Sequence, residues 1–131
     1  MFWALATGAV DTRGFEFEQV LQDIQTLNEW ALEGRLEVTA ISLHAYPFVQ
    51  GRYALLPHGA SMGDRYGPIL VESSVAPRPA GSRGNSVKGR RIAIPGTLTT
   101  AYLALRLYEP DFQHVVVPFD RIQQAVLDGT A

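Results

Sequence analysis

The sequence predicts an α/β fold with mostly parallel strands. Three observations carry that expectation. Residues 91–108 read as a short apolar strand, a Pro95–Gly96 turn and a helix. Residues 114–129 follow the same strand-then-helix order, and residues 15–33 place an alternating apolar–polar run before an amphipathic helix. Strands that alternate with helices need crossover connections, and these produce parallel pairing.

Taken in order, residues 2–10 resemble the tail of a helix, with Gly8 near its end. Phe15, Phe17 and Val20 alternate with polar neighbours, the pattern of a half-buried strand. A helix is expected over 23–33, with Asp23 as cap, Ile24, Leu27 and Ala31 on one face, and Gly34 as the stop. Asn28 is expected to face solvent and Trp30 to pack. A second strand is expected over 36–43, followed by a helical turn over 45–49 with Pro47 in its first turn. Residues 53–56 and 69–71 read as short strands flanking a glycine-punctuated loop. Residues 74–87, rich in Pro, Ser and Gly, read as a linker or surface loop. After it come a helix over 98–108, a strand over 114–119, and a final helix that Asp120 and Gln123 would cap as a capping box.

Composition narrows the function classes. Of 131 residues, 47% are hydrophobic and 18% charged, the balance of a folded domain with a core. A net charge of −2 gives no sign of a nucleic-acid partner, and the basic residues Arg83, Lys88, Arg90 and Arg91 lie in or beside the polar loop. The absence of cysteine excludes disulfides and thiolate chemistry. His44, His58 and His114 have no metal-binding spacing, so no metal site is expected. No apolar run reaches the roughly 20 residues of a membrane helix, and no secretory leader is recognised, so a cytoplasmic setting is expected. A nucleophile elbow and a phosphate-binding P-loop are both missing.

The richest stretch is RIAIPGTLTTAY over residues 91–102. A helix start leaves its first N–H groups without intrahelical partners and carries partial positive charge. Threonine hydroxyls at that place add donors suited to a carboxylate, a phosphate or a polyol. Two readings stand for Thr99 and Thr100: contact with a ligand, or ordinary capping of the helix by Thr97 with the later threonines bonded to nearby backbone. Ser42 closes an apolar run and either faces a ligand or caps the next helix. His44 either faces a cleft or is structural. Gly67 and Pro68 either permit close backbone approach or simply form a turn.

Several ordered segments carry a family resemblance. They are TLNEWALEGRL at 26–36, SLHAY at 42–46, RYALLP at 52–57, GPILV at 67–71 and IPGTLTTA at 94–101. Together they resemble the 1,4-dihydroxy-6-naphthoate synthases of the futalosine route to menaquinone. The resemblance covers essentially the whole chain, except that the 74–87 loop is longer. It implies a type II periplasmic-binding-protein-like fold of two lobes, with residues 1–72 in lobe I, 73–87 as hinge and loop, and 88–131 opening lobe II. It further implies a cofactor-independent lyase that cleaves cyclic dehypoxanthinyl futalosine. A small carboxylate substrate would sit between the lobes, against Ser42, His44, Gly67, Thr99 and Thr100.

Members of that family begin with a strand and a Pro-Cys-Pro-Asn-Asp-Thr-like loop. They also continue into an Ile-His-Glu strand whose histidine is the proposed base. Neither segment falls within these 131 residues. The chain therefore reads as an internal fragment, incomplete at both ends, with no catalytic residue of its own, exposed strand edges and no turnover. A non-catalytic solute-binding lobe and the paralogous chorismate dehydratase are the alternatives.

Overall fold

The computed structural model describes residues 3–73 and 86–131. The expected linker therefore lies mostly outside the described residues. The element order is α1 (Trp3–Ala6), α2 (Ile24–Glu33), α3 (Tyr46–Val49), β1 (Arg91–Ile94), α4 (Thr100–Tyr108), β2 (Gln113–Val116), a 3-10 turn (Phe119–Arg121) and α5 (Ile122–Leu127).

β1 and β2 form a parallel pair, with Arg91 opposite Gln113 and Ile94 opposite Val116. α4 is the crossover that a parallel pair requires. Ile94, Leu105 and Phe112 form the core of this unit, and Val87, Ile92 and Tyr102 pack against it. One residue from β1, one from α4 and one just before β2 thus bury together. Their burial fixes where the β1–α4 turn projects.

α2 forms as expected. The Asp23 carboxylate accepts from the N–H groups of Gln25 and Thr26, and Gly34 closes the helix at φ 71°. Gly34 suits the site twice over, because that left-handed conformation disfavours a side chain and Arg52 fills the space a Cβ would need. Arg52 donates to Leu32 O at 2.9 Å, and the Tyr53 hydroxyl donates to Leu36 O at 2.6 Å. These bonds hold the segment after α3 against the end of α2.

The expected strands over 15–20, 36–43, 53–56 and 69–71 are a correction. Among the described residues these stretches lie outside any strand ladder. Alternation marks a face to be covered, whereas a strand also needs a neighbour offering N–H and C=O groups. Phe15 is 72% exposed and Ile69 82%, so the apolar faces of the first and last stretches are largely uncovered. The final helix is corrected too. Pro118 leads into the 3-10 turn, and α5 begins after Arg121 with no side-chain cap. Asp120 instead pairs with Arg121 at 3.6 Å.

Candidate substrate-binding site

The β1–α4 turn and the loop at 42–45 are brought together by α2. Asn28 is 0% exposed, against the expectation that it faces solvent. Its Oδ1 accepts the Ser42 N–H at 2.8 Å, and its Nδ2 donates to Ser42 Oγ at 3.0 Å and to Leu98 O at 3.2 Å. One side chain therefore fastens the 42–45 loop to the turn before α4. One turn earlier on α2, Gln25 Oε1 accepts the Leu98 N–H at 3.2 Å, and its Nε2 donates to Glu29 Oε1 at 2.8 Å. Both backbone polar groups of Leu98 are thus held by one face of α2.

Gly96 permits this approach. It is buried, and the Gln25 side chain occupies the space a Cβ on Gly96 would need. The Pro95–Gly96 pair was legible as a turn, but this close helix–turn contact was not.

Thr99, not Thr97, caps α4. Its hydroxyl donates to Gly96 O at 2.8 Å and accepts the Tyr102 N–H at 3.2 Å, and the residue is 3% exposed. The Thr99 hydrogen is thus committed inside the fold. Thr100 differs: it is exposed, and its Oγ1 accepts the Leu43 N–H at 3.1 Å. Among the described residues, nothing accepts the Thr100 hydroxyl hydrogen or the N–H groups of Thr100 and Ala101. That is the donor array a helix start offers to an anion.

Ser42 is 7% exposed and does not cap α3 through its side chain. Its carbonyl instead accepts from Ala45 N at 2.9 Å and Tyr46 N at 3.2 Å, while its hydroxyl meets Asn28. His44 sits between Phe48 and Tyr102, with ring centroids at 6.1 and 6.3 Å. Its Nδ1 is buried without a hydrogen-bond partner among the described residues. A buried nitrogen left unpaired costs free energy unless something else bonds it. His114 stacks edge-on against Tyr102 at 5.2 Å, and His58 lies exposed in a loop.

The five expected site residues divide accordingly. Ser42, Thr99 and Thr100 meet around the clasp made by Asn28 and Leu43, and His44 adjoins them through Tyr102. Gly67 does not join this group. It lies in an exposed stretch, with nothing within 4 Å of the position a Cβ would take. Asn28 and Gln25 were missed. The available signal was position: Asn28 lies four residues after Ile24 and three before Ala31, a polar residue on the face assigned to packing.

Among the described residues no three His, Asp or Glu side chains converge as for a metal ion. Two of the basic residues face acids, Lys88 toward Asp111 at 3.6 Å and Arg90 toward Glu72 at 2.8 Å. No described helix is long and apolar enough to cross a membrane.

These elements define an α/β protein with unspent donors at the β1–α4 junction. The chain belongs to the menaquinone biosynthesis family, whose sequence model matches residues 1–131. It is 41% identical over 131 residues to a "1,4-dihydroxy-6-naphtoate synthase" of Thermus thermophilus, covering 98% of this chain and 44% of that protein. A Streptomyces coelicolor protein of the same name is 35% identical over 135 residues, with 98% of this chain and 45% of the relative covered. An X-ray crystal structure of a protein from Archaeoglobus fulgidus superposes with a TM-score of 0.86 at 47% identity, over 98% of this chain and 45% of that one. The chain thus spans less than half the length of the relatives it matches.

Proposed function

We propose that this chain forms part of a cofactor-independent lyase of menaquinone biosynthesis, cytoplasmic in setting, that converts cyclic dehypoxanthinyl futalosine to 1,4-dihydroxy-6-naphthoate. The names of the two curated relatives support the product, and the donor array at the start of α4 supports an acidic ligand. In this reading the fold is a periplasmic-binding-protein-like pair of lobes. Residues 1–72 belong to the first lobe, 73–87 to the hinge and loop, and 88–131 to the second.

The chemistry assigned to these residues is binding and orientation. Ser42 and Thr100 offer hydroxyl hydrogens, and Thr100 and Ala101 offer backbone N–H groups, to a substrate carboxylate or hydroxyl. Thr99 shapes that helix start, since its own hydrogen is committed to Gly96. His44 lines the aromatic side with Phe48 and Tyr102. None of His44, His58 and His114 is assigned the role of base. Proton abstraction in a closed, water-poor cleft would drive the bond cleavage.

The observation that carries the proposal is the Thr100 hydroxyl, fixed by Leu43 N–H at 3.1 Å and still able to donate outward. A chimera tests it. The 131 residues would replace the matching stretch of the Thermus thermophilus relative. A chimera with native-like circular dichroism should release 1,4-dihydroxy-6-naphthoate from cyclic dehypoxanthinyl futalosine without added cofactor. A folded chimera that leaves the substrate intact contradicts the proposal.

A further inference from the structure

We infer that Asn28 is a positioning residue that keeps the Ser42 hydroxyl hydrogen available to a ligand, so that the site favours a group that accepts. The inference rests on reading the β1–α4 junction as a carboxylate-binding wall. Asn28 has no exposed surface, so it cannot itself touch a ligand.

Its orientation follows from chemistry. The Ser42 backbone N–H can only donate, so the atom facing it at 2.8 Å must be the amide oxygen. Nδ2 is then the atom that meets Ser42 Oγ at 3.0 Å and Leu98 O at 3.2 Å. Nδ2 has two hydrogens, and these two acceptors take both.

Ser42 Oγ is therefore held as an acceptor on its inner side. Its own hydrogen has no acceptor among the described residues and is left for a ligand. The next residue repeats the arrangement. The Leu43 N–H donates to Thr100 Oγ1 at 3.1 Å, so that hydroxyl also accepts from the protein and keeps its hydrogen free. Because Asn28 anchors the Ser42 N–H, it also sets the position of the Leu43 N–H one residue later.

Each hydroxyl keeps its hydrogen and one lone pair, and the Thr100 and Ala101 N–H groups can only donate. A carboxylate, which only accepts and carries charge, takes more of these donors than an amide of the same shape, which donates through half of its polar end. The specificity arises one layer behind the residues that touch the ligand.

The test is calorimetric titration of the 131-residue chain with 2-naphthoate and with 2-naphthamide. The wild type should bind 2-naphthoate at least tenfold more tightly. Asn28→Asp keeps the shape but replaces the Nδ2 donor with an acceptor, so the Ser42 hydroxyl hydrogen turns inward. That variant should lose at least tenfold in 2-naphthoate affinity and most of its preference over the amide. Ser42→Ala should show the same loss, and the double variant should be no weaker than Ser42→Ala alone. A purely structural Asn28 would give additive losses and overturn the inference.

If Asn28→Asp does not fold, Ser42→Ala carries the test, because it leaves the Asn28 bonds to Ser42 N–H and Leu98 O in place. Unchanged affinity in Ser42→Ala overturns the inference. Equal wild-type binding of both probes overturns it while leaving the binding site standing. Binding of neither overturns the site itself.

Discussion

Asn28 and Ser42 are joined twice. The amide oxygen of one takes the backbone N–H of the other at 2.8 Å, and the amide nitrogen reaches the hydroxyl at 3.0 Å. The two residues lie 14 positions apart, and the same amide also reaches Leu98 O at a separation of 70. A buried side chain with every polar atom bonded specifies its surroundings far more tightly than an apolar one of equal size. Asn28→Ala would strand the Ser42 N–H and the Leu98 carbonyl. Each stranded group costs about 1–3 kcal/mol, so a total loss of about 2–6 kcal/mol is expected in urea unfolding. Asn28→Gln should not rescue, since its extra methylene overfills a site with no exposed surface.

Gly96 and Gln25 should be coupled. Gly96→Ala forces the Gln25 side chain aside and breaks its 3.2 Å bond from the Leu98 N–H, for a loss of about 1–2 kcal/mol. Gln25→Ala removes the same bond and also vacates the space. The double variant should therefore be less destabilised than the sum of the singles, and a double-mutant cycle measures the difference. Strict additivity would mean the two residues do not compete for that space.

Thr99 should behave as a helix cap. Thr99→Val keeps the shape but leaves the Tyr102 N–H without its 3.2 Å acceptor and Gly96 O without its 2.8 Å donor. A stability loss of about 1–2 kcal/mol is expected from thermal unfolding, and Thr99→Ser should recover most of it.

The start of α2 should be sensitive to acid. The Thr26 hydroxyl bonded to Asp23 is the main cause that holds its carboxyl below the ordinary carboxylate range. Backbone N–H groups of Thr26 and Gln25 add to this, and slight burial opposes it. A carboxyl lowered in the folded state stabilises at pH above the unfolded value, and that contribution is lost as pH falls through the folded value. Amide exchange in the first turn of α2 should therefore quicken as pH drops below about 4, after correction for intrinsic rates. Asp23→Asn, which still caps but does not titrate, should flatten that dependence.

Much of this was legible in the sequence where local rules decide. Asp23 and Gly34 bound α2 because capping and the left-handed stop are properties of short segments. The order β1, turn, α4, β2 followed from two apolar runs, the first closed by the Pro95–Gly96 turn ahead of a helix. The strands over 15–20 and 36–43 were not decided locally, because a ladder needs a second chain segment that alternation does not name. Ser42, Thr99 and Thr100 were singled out from their place at element ends, and the structure sets them around one clasp. The clasp itself was hidden, since Asn28 and Gln25 are polar residues on an amphipathic helix whose apolar residues alone were assigned to packing. Only the register of Asn28 with Ile24 and Ala31 marked it as inward-facing.

In the proposed reading, Thr100 and Ser42 at the β1–α4 junction hold the carboxylate that substrate and product share. The most direct measurement is the affinity of the 131-residue chain for 1,4-dihydroxy-6-naphthoate, by fluorescence titration, for wild type, Thr100→Ala and Ser42→Ala. Each variant should bind at least tenfold more weakly, about 1.4 kcal/mol, with circular dichroism unchanged. Wild-type affinity in both variants would contradict the claim.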